Sequence, residues 1–406
     1  MTGGSVAVGQ PERQWKVRAI ATVAICLFIN MLDGVDLAII AFIGPALARD
    51  WSLGPAELGL VFSGGLVGMA IGCLFVAPLA DRYGRGPLLL LALATISLST
   101  LACGYAPTLE ALIAARAFTG LGIGTVMSVL TALAAESAPA AHRNWAVSIV
   151  QCGNPIAAVL TGILSAELTP VLGWRAMLVG TGLLTMTGIP LAVFLYHWER
   201  QSRREIPAGP VTGAMVQIVS QPYLPQTLKL WVTAVVGVII GYAVVSWVPK
   251  ISVDAGFTEA EGIYAGVLYG VGAFVGTMAM SFASLRYRIQ RVIPVFYSLA
   301  ACVIVAFGVL ALPLWAMWSA AFFIGVWLQG GYNGSYALAV GIYPAAVRAT
   351  GIGWATGIAR FGAIFGPMFV GFLLAAHLSI GVIFTIFGAM LLLGAMAAAA
   401  VRFGSA

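Results

Sequence analysis

Charge is what this 406-residue chain has least of: only 8% of its residues are Asp, Glu, Lys or Arg. Soluble domains run near 25%, so a water-exposed globule and an extended disordered chain are both excluded. Histidine is almost absent too: His142, His197 and His377 all fall at the ends of apolar runs or between them. A proton path through the apolar interior would therefore have to use carboxylates. The five cysteines lie singly inside apolar runs, without disulfide or metal spacing, and read as small hydrophobes. No Ser-His, Cys-His or His/Glu cluster appears within a run, so an intramembrane enzyme is disfavoured and no metal site is expected. No G-x-x-x-x-G-K-[ST] run exists, which removes a phosphate-cradling ATP site as the energy source.

What remains is apolar: 61% hydrophobic residues, with 49 glycines. Apolar runs lie near 18–43, 56–79, 87–104, 109–135, 145–168, 175–196, 227–249, 261–284, 292–312, 314–340, 351–375 and 379–401. Each is about long enough to cross a bilayer, which takes roughly 20 residues. The expected fold is an all-α polytopic membrane protein of twelve spans, and no cofactor is called for.

The twenty basic residues are distributed unevenly. With the N-terminus inside, fifteen fall on the cytoplasmic side, only Arg49, Arg175 and Lys250 fall outside, and Arg116 and Arg360 remain in the membrane. The positive-inside rule places both termini in the cytoplasm. It also accounts for the net charge of +6 without a nucleic-acid partner.

The chain is duplicated. Pro139-Ala140-Ala141-His142-Arg143 returns 205 residues later as Pro344-Ala345-Ala346-Val347-Arg348, and at that spacing Gly120 falls on Gly325. Gly64, Gly68 and Gly72 in the second run are matched to Gly262, Gly266 and Gly270 in the eighth, small-residue stripes suited to close helix packing. The expected organisation is a six-helix bundle over 1–196, a polar cytoplasmic linker over 197–226 and a second bundle over 227–406.

Buried charge carries the functional signal. Asp33 and Asp36 interrupt the first run three residues apart, on one helical face with Asn30. Each costs about 2.5–3.5 kcal/mol at a span centre, and carboxyls so placed can take up and release protons. Arg116 keeps its charge, and a pairing with Asp33 or Asp36 that breaks on protonation is one reading, a permanent structural pair the other. Arg360 lies near the middle of the eleventh run, with no carboxylate in the spans of its own half. Its natural partner is an anionic substrate, the alternative being Asp33 or Asp36 across the cavity. Gln329, Tyr332, Asn333 and Tyr336 share a face of the tenth run, expected to look into the cavity. Gln151 and Asn154 in the fifth run are further cavity candidates, and Tyr242, Tyr269 and Trp354 offer rings for stacking.

The second-to-third connection, Ala77-Pro78-Leu79-Ala80-Asp81-Arg82-Tyr83-Gly84-Arg85-Gly86, and the fourth run, Arg116-Ala117-Phe118-Thr119-Gly120-Leu121-Gly122-Ile123-Gly124 ending at Glu136-Ser137-Ala138-Pro139, resemble signatures of the major facilitator superfamily. Within it, Asp33-Gly34-Val35-Asp36 and Arg360-Phe361-Gly362 followed by Gly366-Pro367 resemble the aromatic acid:proton symporters. Ala77 and Gly86 depart from the loop signature, and Ser284-Leu285-Arg286-Tyr287-Arg288 of the second half has lost its Asp and Gly. The resemblance implies a monomeric, proton-driven importer of a benzoate-like or hydroxybenzoate-like acid in a bacterial inner membrane. Asp81, Arg82, Arg85, Glu136 and Arg143 would form ion pairs at an inner gate. The alternative within the superfamily is a metabolite or drug:proton antiporter. Such exporters carry a Gly-Pro pair in the fifth helix, where this chain has Gly153-Asn154-Pro155-Ile156.

The charge asymmetry predicts an accessibility pattern. Single cysteines at Ser52 and Asp254, in a background without the native thiols, should react with an impermeant maleimide added to sealed right-side-out vesicles. One at Ser202 should not, and its labelling would overturn the orientation.

Overall fold

The computed structural model describes residues 17–139, 142–200, 218–221, 223–343 and 345–403. The linker positions 201–217 and the side chains of Asp81 and Arg143 lie outside the described residues. Helices α1 (Val17–Asp50) and α2 (Pro55–Ile71) come first, and α2 runs on through a π-helical turn, Gly72–Val76. A short α3 (Leu79–Tyr83), α4 (Arg85–Gly104), α5 (Leu109–Ser137), α6 (Arg143–Gln151), α7 (Gly153–Met186) and α8 (Gly188–Arg200) complete the first half. The second half comprises α9 (Leu224–Asp254), α10 (Glu259–Arg286), α11 (Ile289–Val309), α12 (Leu314–Ile342), α13 (Ala345–Ala375) and α14 (Ile380–Ala399). No strand occurs among the described residues.

Among the described residues, ten helical runs are long and apolar enough to span a bilayer. One of them, Ala146–His197, is 52 residues long and holds two crossings. Its first arm climbs along α1, with Asn154 against Gly34 and Gly162 against Phe42. At Gly173 the backbone leaves the helix (φ 79°), and the second arm descends past Trp174–Asp50 and Thr185–Asp36. Helix α12, 29 residues long, supplies a further crossing, the tenth in chain order. The far-face helix starts are capped from within: Thr108 accepts from Ala111 N–H, Thr258 and Glu261 form a capping box, and Ser379 accepts from Val382 N–H.

Backbone-to-backbone approach through glycine holds each half together, and the duplication is visible in it. A Cβ on Gly120 would lie 1.8 Å from the Gly65 carbonyl oxygen, and one on Gly325 would lie 2.1 Å from that of Tyr269. Gly68 and Gly72 of α2 press on α5, as Gly272 and Gly276 of α10 press on α12. The true counterparts of Gly68 and Gly72 are thus Gly272 and Gly276, 204 residues on, rather than Gly266 and Gly270. Gly262 faces the Pro249 carbonyl and Gly266 faces Phe42. That part of α10 serves contacts outside the α10–α12 pair, which the sequence spacing alone does not distinguish.

The two halves meet mainly through α2 with α13, α7 with α10 and α1 with α9. Their contacts gather at the face away from the termini. There Arg49 pairs with Glu259, Tyr264 donates to Glu167 (2.9 Å), and the Phe62 and Trp247 rings meet edge-on at 5.6 Å. Gly59 of α2 lies against the Pro367 carbonyl, and Gly371 of α13 against that of Pro55. Among the described residues α5 and α12 make little or no contact with each other, and the polar and aromatic contacts located between the halves gather at the face away from the termini.

Leucine at Gly120 or Gly276 should destabilise the fold by more than the about 1–3 kcal/mol of ordinary overpacking, because the obstacle is backbone. Alanine at Gly353 or Gly357, inside α13 and where a Cβ meets nothing within 4 Å, should leave stability unchanged or raise it by up to about 1 kcal/mol. Thermal unfolding in detergent separates the two pairs; equal melting temperatures would remove glycine packing as the organising contact.

Candidate functional site

Gly34, between the two aspartates, sets up the site. A Cβ there would lie 2.9 Å from both Asn154 Cα and Ala157 Cβ, so only glycine lets α1 and α7 approach this closely. The aspartates flanking it are both fully buried but face different surroundings.

Asp36 looks into the first half. Its carboxylate accepts from the Thr100 hydroxyl on α4 (2.6 Å) and the Thr185 hydroxyl on α7. Ser99 and Thr119 extend this hydroxyl network, 2.8 Å apart. The buried Arg116 of α5 donates through both terminal nitrogens to the Asp36 backbone carbonyl, at 3.3 Å each. Arg116 and Asp36 are therefore neighbours, as expected, but the guanidinium meets the carbonyl and makes no ion pair within 4 Å to either aspartate carboxylate. Hydroxyls from α4 and α7 occupy the carboxylate, while the helix carbonyl keeps a second lone pair for the arginine.

Asp33, one turn earlier, looks toward the second half. Neither of its carboxyl oxygens has a hydrogen-bond partner among the described residues. Tyr242 of α9 lies within electrostatic reach of both Asp33 and Arg360. Leaving an ionised carboxylate buried without a donor is among the costliest arrangements in a protein, whereas the neutral acid carries a much smaller penalty. Asn30 donates weakly to Gln151 (3.5 Å), and its own carbonyl oxygen is unpartnered. Gln151 is exposed to the opening, while Asn154 is half-buried, its backbone against Gly34.

Arg360 of α13 is half-buried and makes no ion pair or hydrogen bond to any described residue. Tyr242 and Tyr332 lie within reach of its charge. The Tyr332 and Tyr336 hydroxyls are 3.2 Å apart and their rings pack edge-on at 5.9 Å. The face expected of α12 divides here. Tyr332 and Tyr336 line a recess between α9, α12 and α13, whereas Gln329 bonds Asn333, and Asn333 donates to Thr277 of α10 (2.7 Å). Tyr269 is buried within reach of Tyr242, and Trp354 is partly exposed. The open Cβ positions of Gly353 and Gly357 continue this free side of α13 up to Arg360.

Of the residues expected at the gate, Arg85 pairs with Glu136 across the ends of α4 and α5, and Arg82 packs over the Tyr83 ring. The sequence reading missed Thr100, Thr185, Thr119 and Ser99. Hydroxyls in apolar helices commonly return to the carbonyl one turn back, as Thr119 and Thr185 also do, so nothing in their spacing marks those that reach a carboxylate.

Residues 26–338 match the family model described as the Major Facilitator Superfamily. The chain is 32% identical to the gallate transporter of Pseudomonas putida, covering 92% of this chain and 89% of that one. It is 33% identical to the 4-hydroxybenzoate transporter of Pseudomonas aeruginosa, covering 87% and 84%. The fold is similar to that of the xylose transporter of E. coli in an inward-open conformation (TM-score 0.75, 16% identity, 93% and 95% covered). It is equally similar to a bacterial homolog of the human lysosomal transporter Spinster in an inward-facing, occupied conformation (TM-score 0.74, 18% identity, 97% and 94% covered).

Thr185→Val should leave Asp36 short of one donor and cost roughly 1–3 kcal/mol of stability. In a double-mutant cycle with Asp36→Asn the two losses should fall short of additivity. Strict additivity in thermal unfolding would show that the short contact carries no coupling energy.

Proposed function

Because the chain belongs to the major facilitator superfamily, we propose that it imports an aromatic carboxylate together with protons across a bacterial inner membrane. Membership in this family makes it a multi-pass membrane transporter and not an enzyme. The observation that carries the substrate class is Arg360, a permanent cation among aromatic side chains with no protein anion paired to it among the described residues. A guanidinium in that setting fits a planar carboxylate in bidentate geometry. The relatives named as gallate and 4-hydroxybenzoate transporters support an aromatic acid.

Proton coupling follows from the energetics. A monoanion entering against an inside-negative potential climbs about 2.3 kcal/mol per 100 mV; one proton cancels that charge and a second turns the potential into a driving force. Asp33, without a donor, is the group assigned to carry the proton. Asp36 and Arg116 tie the protonation of α1 to α4, α5 and α7 of the same half. With the termini in the cytoplasm, the contacts that gather at the far face lie on the outer side, which supports an inward-open conformation. Alternating access is then rocking of the halves 1–196 and 227–406 about the substrate, with 197–226 as the tether. Arg85–Glu136, together with Asp81, Arg82 and Arg143, re-pairs as the inner side closes. The working unit is a monomer.

The test is uptake of a panel of radiolabelled aromatic acids into proteoliposomes, with pH gradient and membrane potential imposed separately. Acid outside should drive accumulation. Asp33→Asn should abolish accumulation and spare counterflow exchange; full accumulation in that variant would make the carboxyl structural. Arg360→Lys should weaken binding about a hundredfold despite keeping the charge, and Arg360→Ala should eliminate it. The carboxamide of the best substrate should bind wild type poorly and lose little more in Arg360→Ala. Equal binding of acid and amide by wild type would remove Arg360 as the carboxylate anchor.

A further inference from the structure

A carboxyl that carries a proton must exchange it with water, yet the Asp33 side chain is closed to solvent. It is fully buried, and neither oxygen meets a donor among the described residues. The ionisable groups around it offer no way out. Asp36 on the same helix is held by Thr100 and Thr185, and Arg116 of α5 by the Asp36 carbonyl. Tyr242 of α9 and Arg360 of α13 belong to the other half, and neither is hydrogen-bonded to Asp33.

Asn30 does offer one. It precedes Asp33 by three residues, on the same helical face and one turn nearer the face of the termini. Asn30 is fully buried too, and its Oδ1 also lacks a donor. Its amide nitrogen points to the Gln151 side chain, 3.5 Å away. Gln151 closes α6 and is exposed. The order Asp33, Asn30, Gln151 thus leads from a buried carboxyl to solvent in two steps, along α1 and the helices α6 and α7 packed on it.

The Gly153-Asn154-Pro155 stretch fits this line. A Cβ at Gly153 would lie 2.9 Å from both Asn30 Oδ1 and the Leu27 carbonyl oxygen, so glycine makes the room for the Asn30 carboxamide. Pro155 has no N–H to give the Gln151 carbonyl four residues back, which frees an acceptor at the wetted end. The unpartnered atoms of Asp33 and Asn30 are oxygens that accept, and no direct bond joins the two side chains. One water donates to both at once, and a buried water needs two to four such partners.

Resting on the reading of Asp33 as the proton carrier, we propose that Asn30 and Gln151 are positioning residues that hold water as the inner proton port of Asp33, a route within the first half and separate from the anion site at Arg360. The Asp33 O–H bond breaks as the bridging water gains that proton. This water passes one of its own protons to the water at Gln151, and the charge leaves to the cytoplasm. The amides orient the waters and keep their own protons throughout. Because every member rides on one half, the port stays assembled while the halves rock.

The experiment compares two fluxes of 4-hydroxybenzoate in proteoliposomes. Net downhill uptake, read with an entrapped pH dye, requires proton release inside; counterflow exchange with acid on both sides lets Asp33 stay protonated. Asn30→Leu and Gln151→Leu should slow net uptake and acidification tenfold or more while exchange stays within twofold of wild type. Asn30→Ser, which keeps an acceptor, should recover most of the net rate. Gln151 is exposed, so its variant does not threaten folding, and exchange itself reports an intact protein. Wild-type net uptake in both leucine variants, or exchange falling in step with it, overturns the port. Two acceptor oxygens also suit a sodium ion: net uptake driven by a sodium gradient at equal pH, and lost in Asn30→Leu, overturns water in favour of the metal cation. Asp33→Asn, run alongside, separates the two readings. If it accumulates the acid as wild type does, the carrier falls and the port with it. If it does not, while the leucine variants run normally, only the port falls.

Discussion

Lipid supplies no hydrogen bonds, and that constraint places nearly every polar group in this molecule. Thr125, Thr131 and Thr277 turn back to the carbonyl one turn earlier in their own helices. Buried tyrosine and tryptophan reach carbonyls of neighbouring helices, as Tyr297 does to Thr233 and Trp247 to Pro367. Where the first half buries a carboxylate with donors, at Asp36, two hydroxyls meet it and Arg116 sits alongside on the backbone. Against that background the groups left without partners among the described residues stand out. Asp33 lacks a donor and Arg360 lacks an anion. A transporter must leave such groups wanting, because a site satisfied by its own protein gains nothing from a substrate or a proton.

The duplication separates scaffold from chemistry. Both halves use the same glycine-mediated crossing, α2 on α5 and α10 on α12, so backbone geometry is repeated almost residue for residue. The polar content is not repeated. The first half holds the carboxylates and their hydroxyl cage; the second holds the cation, the tyrosine pair and the recess. The buried aspartates and Arg360 thus sit on different halves of the chain, with Tyr242 within electrostatic reach of both Asp33 and Arg360.

The far end of the molecule shows the complementary principle. Arg49, Asp50 and Arg175 line a polar cavity there, but each is already engaged: Arg49 by Glu259, Asp50 by Trp174, Arg175 by two carbonyls and two indole faces. Charges so committed fasten the closed end and do not ask for a ligand.

Span number, duplication and the buried charges were legible in the sequence because each rests on composition or spacing. Twenty apolar residues cross a bilayer whatever their neighbours are, and Asp33, Asp36, Arg116 and Arg360 are conspicuous as charges inside such runs. What those charges touch was not legible. Asp33 and Asp36 share a face by periodicity, yet the ~60° between residues three apart on a helix sends one into a hydroxyl cage and leaves the other without a donor. Gln329 and Asn333 look like cavity residues until Thr277, 56 residues before Asn333, proves to be the partner. Gly266 matches the stripe of the first half in sequence, while the helix–helix contact selects Gly272. The sequence by itself determined which residues had to be buried in lipid and which of them were charged, since transfer energy is a property of the residue. Only the tertiary structure decided which were satisfied, because a hydrogen bond depends on distance and angle between groups far apart in the chain, and neither is encoded in the local pattern of either one.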